Sequence, residues 1–107
     1  MQTTSDFKFD RDKVYLVYFE EILNEYWETV DYSEYCREEP RFTWERYLKI
    51  ECFEREGEAL NRAAELIHLV DGDYNIQFIG VFRGNKMVYG SEYVHRVANE
   101  LYHEVTA

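Results

Sequence analysis

Apolar residues recur along the first third of the chain at three- and four-residue steps. Leu16, Phe19, Leu23, Tyr26 or Trp27, and Val30 would line one side of an amphipathic helix running from Lys13 to about Val30, after Asp10 or Asp12 as N-cap. Its opening run, Val14 to Phe19, also has strand propensity, so the start of this element is less sharply defined than its body. No period is sustained from Asp31 to Arg41, where the only proline, Pro40, stands, and the segment reads as a connection with room for a short helical turn. Phe42, Trp44, Leu48, Ile50 and Cys52 then fall on even positions, which predicts a half-buried strand over Phe42 to Glu54. The competing assignment is one long helix from Thr43 to Val70, but Gly57 in its middle would cost about 1 kcal/mol relative to alanine.

The second half is more regular. Leu60, Ala63 or Ala64, Ile67 and Val70 make the inner stripe of a helix over Glu58 to Val70, stopped by Asp71-Gly72-Asp73 with Gly72 suited to a left-handed cap. Tyr74 to Phe82 and Lys86 to Tyr89 flank the turn residues Arg83-Gly84-Asn85 and predict a β-hairpin, with Gly80 as a bulge site. Ser91 can cap a last helix over 92–105, with Val94, Val97 or Ala98, Leu101 and Val105 facing inward. The expected fold is α+β in the order α-β-α-β-β-α: a helix, then a three-stranded, mostly antiparallel sheet with helices 58–70 and 92–105 packed on it. The first helix would complete that layer or project from it. Residues 1–107 are expected to form a single domain, with 1–11 a flexible lead-in that Phe7 and Phe9 can anchor.

Charge sharpens this picture. The chain of 107 residues carries 12 Lys and Arg against 22 Asp and Glu, a formal charge of -10, with a mean hydropathy of -0.59. That balance disfavours direct binding to nucleic acid or to anionic membrane surfaces and favours a basic partner. The longest apolar run, Val14 to Phe19, is too short to span a bilayer, and the N-terminal residues lack the order of an export signal, so a cytoplasmic location is expected. The acidity is local. Between residues 20 and 39 stand Glu20, Glu21, Glu25, Glu28, Asp31, Glu34, Glu38 and Glu39 against the single base Arg37. On a helix, Glu21, Glu25 and Glu28 would form a row of carboxylates about 5–6 Å apart, near the spacing of successive phosphates, able to occupy a groove built for nucleic acid. Tyr26, Trp27, Tyr32 and Tyr35 interleave with these acids; Tyr32 and Tyr35, outside any apolar stripe, suit an interface best.

Other chemistry finds little footing. His95 and His103 are eight residues apart, roughly 12 Å along a helix, too far to share an ion, and all three histidines read as surface residues. Asp71, Asp73 and Asn75 begin like a calcium loop, but Ile76 and Phe82 stand where glycine and the final acid belong. Cys36 and Cys52 read as reduced thiols, Cys52 within the core. No nucleophile elbow or phosphate loop is present, so no catalytic residue, metal or cofactor is assigned. A small enzyme assembled from scattered residues is the least favoured alternative.

Short length, acidity over Glu20 to Glu39, and the aromatics Tyr32 and Tyr35 together resemble the small acidic inhibitors made by phages and other mobile elements, among them DNA-mimicking antirestriction and anti-CRISPR proteins. The resemblance implies a non-enzymatic inhibitor that occupies a basic, nucleic-acid-binding surface of a partner protein; the residues expected to make that contact, Glu20, Glu21, Glu25, Glu28, Asp31, Tyr32, Glu34, Tyr35, Glu38 and Glu39, follow from the local charge and aromatics and are not carried over from any member of the group. The alternative is a self-associating accessory or structural phage or bacterial domain, a homodimer through the aromatic first helix, whose charge serves solubility only.

Overall fold

The computed structural model describes residues 8–106, with side chains described through His103. The chain runs β1 (Val14–Tyr32), β2 (Tyr35–Phe53), α1 (Glu56–His68), β3 (Tyr74–Arg83), β4 (Lys86–Gly90) and α2 (Ser91–Thr106). The order is therefore β-β-α-β-β-α, and four antiparallel strands line up as β2-β1-β3-β4. This overturns the expected leading helix and three-stranded sheet. The reason lies in residue type: 11 of the 19 residues of β1 are β-branched or aromatic, which favours a pleated surface over a helix. Both faces of the strand carry apolar groups, so the two-residue alternation is blurred and the spacing of Leu16, Phe19, Leu23 and Trp27 imitates a helical stripe.

The segment over 31–41, expected as a connection, is almost wholly strand. Only Ser33 and Glu34 lie outside, as a two-residue turn between the paired Tyr32 and Tyr35. The strand expected at Phe42 to Glu54 is present but starts seven residues earlier, and the single helix from Thr43 to Val70 does not form. The later elements match their patterns closely. Helix α1 starts two residues earlier than expected and ends at His68; Gly84 takes a φ of 59° in the β3–β4 turn, whereas Gly72 does not adopt the left-handed conformation.

Residues of β1 with even numbers and those of β2 with odd numbers share the face on which both helices pack; the opposite face carries no helix and is called the open face. Val14, Leu16 and Tyr18 of β1 meet Ala59, Ala63, Leu66, Ile76, Phe78, Val81, Val94 and Ala98 in one core. On the open face Tyr15 and Val17 are also buried; Phe9 stacks on Phe82 at 5.7 Å and meets Tyr15 edge-on at 4.7 Å. That anchors the lead-in at Phe9; Phe7 lies outside the described residues. Between Tyr18 and Ala59 no described residue is buried.

A bulge separates the registers on either side of Val17 and Tyr18, opposite Gly80 and Phe78. A Cβ on Gly80 would lie 2.6 Å from the Tyr89 carbonyl oxygen, so glycine is needed for this close approach.

Candidate binding arm

Strand β3 accompanies β1 only as far as the Tyr74–Ile22 pair, whereas β1 and β2 stay paired to Tyr32 and Tyr35. Residues 23–44 therefore leave the sheet as a two-stranded arm about 30 Å long at 3.3 Å per residue. Strand pairing sorts its side chains. Asn24, Tyr26, Glu28, Val30, Tyr32, Tyr35, Arg37, Glu39, Arg41 and Thr43 share the helix-side face; Leu23, Glu25, Trp27, Thr29, Asp31, Cys36, Glu38, Pro40, Phe42 and Trp44 share the open face.

The helix-side face of the arm neutralises itself. Arg41 Nε is 2.9 Å from Glu28 Oε2, and its Nη1 is 3.3 Å from Glu39 Oε1. Arg37 Nε is 2.9 Å from Glu39 Oε2. Tyr32 donates a hydrogen bond to Glu39 and stacks on Tyr35 with ring centroids 5.0 Å apart. The bond from Tyr32 and then that from Arg37 hold the Glu39 carboxyl below its ordinary range. Two acids thus meet two arginines on this face. At the arm's root, Lys49 Nζ lies 3.8 Å from Glu20, which also accepts a bond of 2.5 Å from Tyr74. Arg46 lies 3.9 Å from Glu21 and packs over the Phe19 ring at 3.9 Å, and Asn75 donates to Glu21.

The open face is different. Glu25, Asp31 and Glu38 have no cationic partner among the described residues, and the arm places no Lys or Arg on this face. Asp31 accepts only from Cys36 Sγ at 3.4 Å, and Glu38 from Thr29 Oγ1 at 2.6 Å. Between these carboxylates stand Trp27, Phe42 and Trp44, which are 62%, 61% and 50% exposed. Exposed aromatic groups of this size on one uncovered sheet face make it the candidate interaction surface of the arm.

Of the ten residues singled out from the sequence, the structure splits the group. Glu20, Glu21, Glu28 and Glu39 are held by the chain's own cations. Glu25, Asp31 and Glu38 come together on the open face, Glu34 sits in the turn, and Tyr32 and Tyr35 stack beside it on the helix-side face. The expected helical row of Glu21, Glu25 and Glu28 does not exist: on a strand, four residues span about 13 Å, and Glu28 points to the other face.

Trp27, Phe42 and Trp44 were not assigned to the interface from sequence; the even-numbered alternation from Phe42 to Cys52 was real, but it marks the open face and not a core. Cys52 is accordingly exposed, as is Cys36. His95 is also misread as a surface residue: it is half-buried, its ring lies 4.7 Å from that of Phe78, and its Nε2 accepts the Phe78 backbone N–H at 3.2 Å.

Among the described residues no group of His, Cys, Asp and Glu is arranged to hold a metal, and no helix is long and apolar enough to cross a membrane. A hollow of about 560 Å³ between α1 and α2 is lined by Arg62, His68, Leu69, Leu101 and Tyr102 among others. Its guanidinium is already engaged by Glu51 at 2.8 Å. No protein family, curated protein or solved structure matches this chain.

Proposed function

We propose that this chain is a non-enzymatic binding protein whose arm docks, open face first, on a basic surface of a partner protein, a surface that otherwise holds nucleic acid. One observation carries the reading: unneutralised Glu25, Asp31 and Glu38 share a face with exposed Trp27, Phe42 and Trp44 on an element that contributes nothing to the core. Aromatic anchors between like charges supply contact area, and the charges supply steering and choice of partner. Docking through this face makes the protein an inhibitor of its partner by occupation, without a helical imitation of the phosphate backbone.

The test is affinity capture from nuclease-treated lysate at low and high salt, with wild type beside the triple variant Glu25→Lys, Asp31→Lys, Glu38→Lys. The expected partner is basic, is released by salt, competes with nucleic acid for the chain, and binds the triple variant at least about tenfold more weakly. Glu28→Gln, on the self-neutralised face, should bind as wild type does. Equal capture of the triple variant would overturn the reading.

Self-association is the second reading, favoured by Leu48 on the same open face, 49% exposed next to the arm. It predicts a dimer in sedimentation that is insensitive to salt.

A further inference from the structure

The backbone of the arm, and not only its side chains, is unsatisfied along one edge. Tyr32 and Tyr35 close a two-residue turn, so even-numbered residues of β1 turn their N–H and C=O groups toward β2. Odd-numbered residues turn theirs the other way, as the Leu23 N–H shows by donating to the Asp73 carbonyl at 2.8 Å. That bond is the last one on this side. Beyond it, the N–H and C=O groups of Glu25, Trp27, Thr29 and Asp31 face the row that β3 would occupy had it continued, and have no hydrogen-bond partner among the described residues.

The arm's other edge is treated differently. The outward-facing groups of β2 belong to its even-numbered residues, and one of these is Pro40, which has no N–H to offer; Arg46 adds a charge further along. Proline and charge are the usual means of blunting an edge against strand addition. The β1 edge from Glu25 to Asp31 carries no proline, and its charges are acidic only, so that they repel an acidic strand and not a basic one.

Resting on the reading above, we infer that the edge Glu25–Asp31 is a strand-addition site for an extended segment of the partner in which lysine or arginine alternates with apolar residues. Strand addition draws affinity from main-chain bonds and specificity from alternate side chains. A segment in the β3 row places every second side chain on the open face, beside Glu25, Trp27 and Asp31. Directly opposed unlike charges stabilise such a pair and like charges destabilise it. The same rule disfavours a second copy of this chain in the register centred on Glu28, which would set Glu25 of each arm opposite Asp31 of the other. Four residues with outward groups span a seven-residue stretch, so a single short strand saturates the edge.

The experiment uses the full chain and a synthetic peptide of alternating lysine and valine, about seven residues long, beside a peptide of equal charge with proline in place of valine. Amide exchange followed by NMR should show Glu25, Trp27, Thr29 and Asp31 exchanging rapidly in the free protein and slowly once the lysine–valine peptide is bound. Thr29→Pro removes one outward N–H and leaves the β1–β2 backbone bonds intact; compared with Thr29→Val, which loses the same hydroxyl bond to Glu38 but keeps the N–H, it should weaken this peptide roughly tenfold and leave the proline peptide's weaker binding unchanged. Unchanged exchange of the four amides in the complex, with Thr29→Pro binding as Thr29→Val does, would overturn strand addition while leaving charge-led docking standing. A free protein that already forms a dimer with those amides protected would also overturn it, because a second copy then fills the edge. Charge reversal of Glu25, Asp31 and Glu38 that left the captured partner's binding intact would instead overturn the reading on which this inference rests.

Discussion

His95 shows how a single side chain closes a gap in the sheet. Strand β4 ends at Gly90, opposite Gly80, so the Phe78 N–H that faces away from β1 has no strand partner, and the His95 Nε2 accepts it. Burial lowers the pKa of this imidazole, and the neutral form is the one that can accept the bond. A base whose folded pKa is depressed stabilises the fold fully above its unfolded pKa, near 6.5, and loses that contribution as pH falls below it. The melting temperature should therefore drop between about pH 7.5 and 5.5, and His95→Gln, which keeps an acceptor without titrating in that range, should show a smaller drop.

Gly80 supplies the second prediction at this scale. With Tyr89 O only 2.6 Å from any added Cβ, Gly80→Ala forces β4 away and should destabilise by about 1–3 kcal/mol in denaturant titration. This bulge was legible in the sequence, because a glycine inside an apolar strand has few other uses. The role of His95 was not, because its partner lies in a different element 17 residues away.

Among the elements, those that carry the core were legible and those that do not were misread. Helices α1 and α2 and the β3–β4 hairpin each have one buried stripe, and their apolar spacing reports it directly. The β1–β2 pair leaves the core after Tyr18, and from there its apolar residues answer to an uncovered face instead. The turn hid the hairpin as well: Ser33-Glu34 lacks the Asn-Gly or Gly-X chemistry that marks two-residue connections. With no buried residue between Tyr18 and Ala59, the arm is separable from the fold. Replacing residues 25–42 by Asn-Gly joins Asn24 to Thr43, a hydrogen-bonded pair suited to a two-residue turn. Cooperative thermal unfolding should persist, with stability within about 1 kcal/mol of the full chain, while partner capture is lost.

For the whole molecule, charge and shape divide the labour. The helix-side face of the arm is balanced by Arg37 and Arg41, whereas Glu25, Asp31 and Glu38 on the open face and Glu34 in the turn leave four of the chain's ten net negative charges on the arm. The acidity of residues 20–39 was legible in the sequence, but its division between two faces was not, because that division depends on a two-residue period where a helical one was assumed. The extents of 64 × 46 × 18 Å follow from the arm and from a sheet covered on one side only. A two-stranded ribbon is marginally stable in water by itself, and the proposed docking on a partner would complete what this fold leaves open.

Both tryptophans of the chain, Trp27 and Trp44, stand on the open face of the arm, so tryptophan emission reports on that face alone. Acrylamide quenching is the most direct measurement: both residues should be fully quenched in the free protein, shielded in complex with the basic partner, and unshielded again at high salt or in the Glu25→Lys, Asp31→Lys, Glu38→Lys variant. Shielding already present in the free protein, or a complex in which Trp27 and Trp44 stay as open to quencher as before, would contradict the account.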